Sequence, residues 1–296
     1  MASDTARHRY PQDFPMTVQS DTSKFAGLPL ALKIRSKQLL GRLEIRRKHA
    51  AHPINREEYR VFSQHREDGI IAFLLDSAGI GSRKFVEFGF GPDVCNCLSL
   101  LLDRNFSGLF IDGDAEKCTA ARRAYRWLDS PDVTVVDAFL TMENLNSVIE
   151  RNGFGGDIDV LSIDVDGNDY WLWSAIDALD ARIVVIEYNA SLGRDRSLTI
   201  PYHPGFRRYR AHKSGFYHGA SLSALEKLGL NLGYRLVGCD STGVNAFFVK
   251  RDLDLPNVAT LSAAEAFFPH RGRTRYKHID EETQFTMIKH LDYVEI

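Results

Sequence analysis

Several acidic residues of this sequence lie within a short apolar run or at its end, and their side chains could take part in chemistry. Glu87 lies in KFVEF, Asp112 ends GLFID and Asp137 ends VTVVD. Asp164 and Glu187 end LSID and VVIE in the same way. An ionised carboxylate is costly to bury unless it binds something. Because carboxylates accept hydrogen bonds from hydroxyls, bind metal ions and take up protons, these positions predict one site.

Two glycines follow Glu87, in the order Glu87-x-Gly89-x-Gly91. Glycine lets the backbone turn tightly and lets a ligand approach without an intervening side chain, although both glycines could serve only the turn from strand to helix. The pattern is not the G-x-G-x-x-G of a dinucleotide site, because position 94 is Val. A G-x-x-x-x-G-K-[ST] loop is also missing from the sequence. Nucleotides held by pyrophosphate or triphosphate are therefore disfavoured.

The carboxylates that end the second and third apolar runs suit a nucleoside. Asp112 is placed to accept hydrogen bonds from both hydroxyls of a ribose, which a carboxylate does better than a neutral side chain. Asp137 is placed to accept a hydrogen bond from an adenine amino group. The alternatives are a solvated turn aspartate for Asp112 and a helix cap for Asp137. Ribose and adenine recognition without phosphate recognition predicts S-adenosylmethionine as the cofactor.

Methyl transfer to a hydroxyl acceptor also needs a route for the proton of that hydroxyl. The proton leaves to a general base, or a metal ion lowers the pKa of the hydroxyl. Asp164 is the predicted catalytic carboxylate. If the fourth and fifth strands are neighbours, Asp164, Glu187 and Asn189 converge as oxygen ligands for Mg²⁺, the second cofactor that the pattern allows. The alternative is that Asp164 contacts cofactor or acceptor without a metal ion.

The long segment between the fifth strand and the last predicted helix supplies the remaining candidates, because it would pass over the same edge of the sheet. His218 is the second candidate catalytic residue, a general base, since histidine titrates near neutral pH. A surface or helix-start histidine is the competing interpretation. His203 is a candidate substrate contact, and Tyr188 and Asn189, just before the segment, are placed to position the substrate.

Strand-like and helix-like segments alternate strictly from residue 84 onward. The strand-like segments are continuous apolar runs, typical of strands that helices cover on both faces, and the alternation predicts a doubly wound α/β fold. Residues 220–233 then form a predicted helix, and residues 234–250 a predicted antiparallel hairpin at one edge. The expected sheet is seven-stranded and mostly parallel. Its parallel strands are expected at 84–90, 108–114, 133–139, 159–167 and 181–189.

An N-terminal helical extension precedes the alternation. Residues 1–27 are predicted to form an arm, and the basic stretch 32–48 a helix whose charged face is either solvated or binds an anionic partner. Apolar positions around Ile70 predict a further helix that ends near Gly79. The predicted division is an N-terminal extension over 1–60, a Rossmann-like domain over 61–252 with a lid segment at 190–220, and a C-terminal extension over 253–296.

Composition limits the possible partners. The formal net charge is −2, so the whole molecule is not drawn to nucleic acid or to a membrane surface. No run approaches the roughly 18 apolar residues that span a bilayer, and the first residues lack the apolar stretch of a secretion signal. The 4 cysteines are too few and too irregular for a disulfide framework. The expected protein is cytoplasmic and reduced, with a homo-oligomer left open.

An ordered series of motifs resembles a known family. FVEFGFG, GLFIDGD, LSIDVDGNDYW and VVIEYN resemble S-adenosylmethionine-dependent methyltransferases with the Rossmann-like (class I) fold. FSQHREDGII, GASL and GCDSTGVNAFFV resemble the FkbM-type subgroup, which modifies sugars and natural products. The resemblance covers about residues 61–250. It implies that Glu87, Gly89 and Gly91 form the cofactor loop, that Asp112 holds the ribose and that Asp137 lies by the adenine.

Three further implications of the resemblance concern the methionine end and the metal. Gln64 and Asp68 are implied to close over the methionine end of the cofactor, with capping or pairing within their own helix as the alternative. Asp164 is expected among the cofactor contacts. Related sugar and macrolide methyltransferases place a metal ion at these strand ends. They carry paired aspartates where this chain has Glu187-Tyr188, and this departure puts the metal site in doubt.

The leading prediction is a methyltransferase that acts on an oxygen of a sugar or natural-product small molecule. N-methylation of a small molecule and a non-catalytic Rossmann-like binding module are the alternatives. A nucleic-acid methyltransferase is disfavoured, because the basic charge is confined to one stretch and neither N-P-P-Y nor D-P-P-Y occurs.

Overall fold

The computed structural model describes residues 29–41, 52–128 and 132–296. It contains a seven-stranded sheet and a separate two-stranded sheet. The strands are β1 (Lys84–Phe88), β2 (Ser107–Asp112), β3 (Val133–Asp137), β4 (Gly156–Ile163), β5 (Leu179–Glu187), β6 (Leu198–Thr199), β7 (Tyr234–Cys239), β8 (Asn245–Lys250) and β9 (Val294–Glu295). The large sheet has the order β3-β2-β1-β4-β5-β8-β7, and β6 pairs with β9.

The first five strands are parallel, and β8 runs antiparallel to both β5 and β7. The mostly parallel seven-stranded sheet with an antiparallel hairpin at one edge is therefore confirmed. Its strands end slightly earlier than expected. Because β1 to β5 are parallel, their carboxyl ends meet at one edge of the sheet. The strand order reverses between β1 and β4, which is where open α/β sheets bind ligands.

Helices cover both faces of the sheet, and local chemistry sets where they begin and end. Asp114 caps the helix that begins at Ala115 by accepting hydrogen bonds from the backbone N–H groups of Glu116 and Lys117. The helix predicted around Ile70 ends at Gly79, whose φ is +72°. The helices are α1 (Leu30–Gly41), α2 (Glu67–Ala78), α3 (Leu98–Arg104), α4 (Ala115–Trp127), α5 (Leu145–Arg151), α6 (Asp169–Ala175), α7 (Arg208–Ala211), α8 (Leu222–Asn231), α9 (Ala263–Ala266) and α10 (Glu281–Thr286).

Alternate residues of each strand enter two separate cores. In β1, Val86 packs into the core on one face, whereas Phe85 packs into the core on the other. Phe110 is fully buried in the second core, with its ring centroid 5.1 Å from that of Phe85 and 5.7 Å from that of Tyr125. Because truncating such a ring costs about 3–5 kcal/mol, these contacts hold the strand ends at fixed positions.

The N-terminal extension is described in part. Helix α1 begins two residues before the predicted basic helix and covers its first part, whereas residues 42–48 and the predicted arm 1–27 are outside the described residues. Leu32, Leu39 and Leu40 of α1 are exposed, whereas Ile34 is buried. The buried face of α1 is formed by Ile34 and Gln38.

The C-terminal segment packs back onto the sheet, which the sequence did not predict. The phenol of Tyr188, just after β5, donates a hydrogen bond to the backbone oxygen of Phe268 (2.6 Å). Leu192, Ile200 and Ile288 form a third apolar cluster that joins this segment to the chain after β5. The segment therefore reaches the same edge of the sheet as the ends of β4 and β5.

The four cysteines are buried and unpaired, as expected for a chain without a disulfide framework. Within the part of the chain that the structure describes, no helix is both long enough and apolar enough to cross a bilayer. The predicted division at residues 60 and 252 stays a prediction.

Candidate functional site

A pocket of about 700 Å³ lies at the carboxyl ends of β1, β2, β3 and β4. This volume falls in the usual range for ligand pockets, and the position is the one that open α/β sheets use. Residues 206–210 of the segment after β6 cover it. The predicted site residues that line it are Gln64, Gly89, Gly91, Asp112 and Asp164.

Gly89 brings the ends of β1 and β4 into direct contact. Its φ is +72°, and a Cβ built on it would lie 1.7 Å from the backbone oxygen of Asp164. Its N–H donates to the backbone oxygen of Ile111 (2.9 Å). Glycine is thus required here by both backbone conformation and space, and its packing positions the end of β4 beside the pocket.

Gly91 begins a tight turn in which Pro92 and Asp93 are the central residues. Its backbone exchanges hydrogen bonds with that of Val94, at 3.0 and 3.2 Å. The Asp93 carboxylate pairs with Lys33 at 2.8 Å and with Lys37 at 2.6 Å. Helix α1 therefore holds the outer side of the glycine loop through two ion pairs.

Asp112 lies at the pocket wall with its carboxylate fixed by backbone groups. Oδ1 accepts from the N–H of Asp114 (2.8 Å), and Oδ2 accepts from the N–H of Phe90 (3.2 Å). Lys117 lies 3.5 Å from Oδ2. Because each carboxylate oxygen has two lone pairs, acceptor capacity remains for a ligand hydroxyl.

Glu87 lies behind the glycine loop, where the structure gives it two backbone partners. Oε1 accepts from the N–H of Asn96 (2.8 Å) and Oε2 from the N–H of Cys97 (2.9 Å). Burial raises the pKa of Glu87 to about 7, although both N–H donors favour the ionised form. Glu87 thus joins β1 to the start of α3 and is not among the residues that line the pocket.

Asp68 is similarly engaged inside the protein. Its Oδ2 accepts from the backbone N–H groups of Val61, Phe62 and Ser63 at 2.8–3.0 Å. It thereby shapes the turn that brings Gln64 to the pocket wall. Asp137 is exposed at the end of β3 and does not line the pocket, whereas the three residues after it do.

Three consecutive residues fasten the covering segment 206–210, which we call the lid. The ring of Phe206 packs on Gly167, where an added Cβ would lie 2.2 Å from the ring. The guanidinium of Arg207 lies 4.0 Å from the centroid of the Phe139 ring. Arg208 donates a hydrogen bond to Asp166. The lid is therefore attached to the loops after both β3 and β4.

Three carboxylates meet beside the pocket, at the ends of β4 and β5. Asp164, Asp166 and Glu187 each offer an oxygen within 4.8 Å of the others, and we call them the carboxylate cluster. Such a donor set has the chemistry of a site for a hard cation. Burial, followed by repulsion from Glu187, raises the pKa of Asp164 above its ordinary value.

Arg208 enters the carboxylate cluster from the lid. It bonds Asp166, and its Nη1 lies 3.5 Å from Oε1 of Glu187. Asp164 faces the pocket, and no hydrogen-bond partner of its carboxylate is found among the described residues. Two of the three carboxylates that could bind a metal ion are therefore already in contact with a guanidinium.

His218 lies behind Glu187 and is 1% exposed. Its Nδ1 is 3.5 Å from Oε2 of Glu187, and its Nε2 accepts a hydrogen bond from Arg273 (3.3 Å). Burial lowers the pKa of His218. Burial would raise the pKa of Glu187, but the positive charges of neighbouring side chains outweigh burial and lower that pKa. The pair is thus a carboxylate beside a neutral imidazole, and His218 does not line the pocket.

Asn189 and Tyr188 are used internally. The Asn189 amide oxygen accepts from Ser191 N–H and from Arg273, and its amide nitrogen donates to the backbone oxygens of Phe216 and His218. Both lone pairs of that oxygen are taken, which leaves none for a metal ion.

The other predicted substrate contacts also lie off the pocket wall. The Tyr188 hydroxyl donates to the backbone oxygen of Phe268. His203 is exposed, and its ring nitrogen accepts from Gly205 N–H (3.1 Å). Neither side chain is among the pocket-lining residues.

The positive side chains of the site and one of its carboxylates were not predicted from the sequence. Arg208 lies in the segment predicted to pass over the site, but neither Arg208 nor Arg273 was identified as a site residue. Asp169 accepts from the N–H groups of Val165 and Gly167, both at 2.9 Å, and so shapes the loop after β4. The motif that contains Asp164 also contains Asp169, which is the first residue of α6.

Comparisons with known proteins give structural likeness only. No family model and no curated protein matches the chain. The N-terminal domain of EvdMO1 with SAH bound is 12% identical, covers 63% of this chain and 80% of its own, and gives a TM-score of 0.41. An O-methyltransferase from Bacillus cereus in complex with SAH is 13% identical, with coverages of 75% and 90% and a TM-score of 0.43. The methyltransferase domain of bacterial CtHen1-C is 15% identical, with coverages of 63% and 97% and a TM-score of 0.41.

Proposed function

We propose that this protein transfers a methyl group from S-adenosylmethionine to an oxygen of a polar small molecule. The observation that carries the proposal is the placement of Asp112. Its carboxylate is fixed by two backbone N–H groups at the wall of a ligand-sized pocket, and it keeps lone pairs for ribose hydroxyls. The FkbM-type resemblance of the motifs around it supports the same assignment.

The pocket chemistry fits the nucleoside part of this cofactor. The glycine loop forms one wall, without the third glycine of a pyrophosphate site. Beyond Asp112, the loop after β3 contributes Phe139 and Leu140, which offer apolar contact area for a purine ring. The residues present therefore suit a ribose and an adenine better than a chain of phosphates.

The bound cofactor would supply an activated methyl group, and the chain has to align the acceptor and remove its proton. Asp164 is the group we assign to that proton. It lines the pocket without a hydrogen-bond partner among the described residues, so its carboxylate is placed to accept the proton of an acceptor hydroxyl. In the transfer, the carbon–oxygen bond forms as the carbon–sulfur bond breaks, and the hydroxyl proton moves to the Asp164 carboxylate.

The acceptor we propose is a sugar or a related polyhydroxylated natural product. The lid presents Arg207, Tyr209 and Arg210 at the pocket, beside Asn168. These groups combine hydrogen-bond donors with an aromatic face, which is the combination that binds sugar rings.

Isothermal titration calorimetry with S-adenosylmethionine and S-adenosylhomocysteine tests the cofactor assignment. Wild-type protein is expected to bind both, and Asp112→Ala to bind at least about tenfold more weakly, the equivalent of one good hydrogen-bonded contact. Asp137→Ala is the matched control, because Asp137 is the register partner of Asp112 on β3 but does not line the pocket. Absence of heat with the wild type would reject the proposal.

A screen of hydroxylated acceptors with labelled cofactor tests the reaction. Label is expected in a sugar-type acceptor, and Asp164→Asn should lower kcat by about 10²–10⁴-fold, the usual contribution of a general base. Cofactor binding without transfer to any acceptor would favour a non-catalytic binding module. Label on nitrogen would favour the N-methyltransferase alternative.

A further inference from the structure

The side chain of Arg208 is held in place from two directions. Its Nε–H donates to the backbone oxygen of Gly215 (2.8 Å), so the guanidinium is fixed by its own chain segment. From there, Nη1 contacts Asp166 and Glu187. The side chain is only 14% exposed. Arg208 is thus a nearly buried, oriented cation aimed into the carboxylate cluster.

We propose that Arg208 is the resident counter-ion of the carboxylate cluster and stands where a divalent cation would otherwise bind. The cluster has the donor oxygens for such a cation. However, a divalent cation and a guanidinium that share the same carboxylate oxygens are close enough to repel each other strongly. A metal ion that used the oxygens of Asp166 and Glu187 would have to displace the guanidinium. The cluster is therefore closed to metal while Arg208 is in place.

The distribution of partners agrees with this role. Asp166 and Glu187 face the guanidinium, and Glu187 is backed by His218, to which Arg273 donates a hydrogen bond. Asp164 and Asp166 both line the pocket, but of the three carboxylates only Asp164 makes no contact with the guanidinium. A cation supplied by the protein thus neutralises Asp166 and Glu187 and leaves Asp164 available for a proton.

The same contact also attaches the lid beside the pocket. Arg208 follows Phe206 and Arg207, which hold the lid on Gly167 and on Phe139. Removing the guanidinium would release the third attachment and would leave two carboxylates without their cation. Arg208 therefore both neutralises the carboxylate cluster and attaches the lid.

Binding of Mn²⁺ alone, followed by the electron paramagnetic resonance signal of the free ion, tests the proposal. Wild-type protein is expected to bind no Mn²⁺ up to about 1 mM, the weak end of known sites. Arg208→Ala is expected to bind Mn²⁺ with a Kd of about 0.1 mM or lower, at least tenfold below that limit, because the repelling charge is gone. Arg210→Ala is the matched control, since Arg210 lies on the same short helix and lines the same pocket.

Two further variants show where any gained metal lies. Arg208→Ala combined with Glu187→Gln is expected to lose the gained binding, and Arg208→Lys, which keeps the positive charge, to resemble wild type. If Arg208→Ala does not fold by circular dichroism, Arg208→Met, which keeps the apolar stem, replaces it. Metal binding by the wild type at the cluster, or equal binding by all variants, would overturn the proposal.

The inference rests on the proposed function only for its consequence, a transfer that needs no metal ion. Labelled-methyl transfer by wild-type protein is expected to be unchanged in EDTA, and loss of transfer in EDTA would overturn that consequence. The Mn²⁺ measurement needs neither cofactor nor acceptor. If the protein shows the expected Mn²⁺ pattern but binds no S-adenosylmethionine, the proposed function is rejected and the counter-ion role of Arg208 stands.

Discussion

At the ends of β1 and β2, acidic side chains are held by backbone N–H groups, whereas at the ends of β4 and β5 they are held by arginines. Glu87 and Asp112 each accept hydrogen bonds from two N–H groups of the loops that follow or adjoin their strands. Asp166 and Glu187 instead contact Arg208, which comes from the lid. We refer to these regions as the backbone-held half and the arginine-held half.

The difference shows how each half keeps its charges in place. Backbone N–H groups are positioned as soon as the strand and its turn form, so the backbone-held half depends on local structure. Arginine side chains come from segments that fold against the sheet, so the arginine-held half depends on their packing. The backbone-held half therefore needs only its own turns to form, whereas the arginine-held half also needs the lid to dock on the sheet.

The largest effect is expected for Gly89→Ala in the backbone-held half. A positive φ and a Cβ 1.7 Å from the Asp164 oxygen should together lower the free energy of unfolding by about 4 kcal/mol. Gly79→Ala is the matched control, because Gly79 has the same φ of +72° with nothing within 4 Å; it should cost about 1 kcal/mol. Urea unfolding measures both, and equal losses would mean that the contact between β1 and β4 carries no strain.

Arg273→Ala should have the next largest effect, in the arginine-held half. It removes hydrogen bonds to Asn189, Ser191 and His218 and leaves these buried polar groups without their donor. A loss of about 3 kcal/mol in the free energy of unfolding is expected. Arg275→Ala, two residues further on and exposed, should change it by less than about 0.5 kcal/mol. A loss below about 1 kcal/mol for Arg273→Ala would show that this half does not depend on that packing.

Glu87 gives the backbone-held half a pH dependence. Its pKa is raised from 4.5 to about 7 in the folded protein, so the folded protein keeps a proton that the unfolded chain releases. As the pH rises from 4.5 to about 7, the stabilisation that the proton on Glu87 provides is lost. The free energy of unfolding therefore falls by up to about 3 kcal/mol. Glu87→Gln lacks this titration, so the stability difference between wild type and variant should narrow from about pH 5 to about pH 8. If the stabilities of wild type and Glu87→Gln change in parallel with pH, this prediction is wrong.

The smallest effect is expected where α1 holds the glycine loop. Lys37 pairs with the Asp93 carboxylate and also donates to its backbone oxygen (2.7 Å), whereas Lys33 makes only the ion pair. Lys37→Ala should therefore weaken cofactor binding and stability by about 1 kcal/mol, and Lys33→Ala by less. High salt should reduce the difference between the variants and wild type. A larger loss for Lys33→Ala would show that the backbone contact does not hold the loop.

The two halves also differ in how far the sequence could predict them. Strand ends, the glycine turn and Asp112 follow from patterns within a few residues, and the structure brings Gly89, Gly91, Asp112 and Asp164 to one pocket. Arg208 contacts Asp166 across 42 positions of the chain. Arg273 contacts Asn189 across 84. Such pairings depend on packing between segments, and periodicity cannot reveal them.

Side-chain direction was the other point that spacing left open. Glu87 and Asp137 occupy the expected strand ends, but one points behind the glycine loop and the other is exposed. Asn189 lies next to Glu187, yet its amide is used up within the protein. Position at a strand end predicts the neighbourhood of a side chain, whereas its hydrogen-bond partners decide whether a ligand can reach it.

Arg273 lies beyond β8, the last strand of the large sheet. The sheet, its two cores and the glycine loop contain no residue of the π-helical turn that carries this arginine. The turn therefore sets the charge behind Glu187 and His218 from outside the sheet, so exchanging it would alter that charge without altering any residue that lines the pocket.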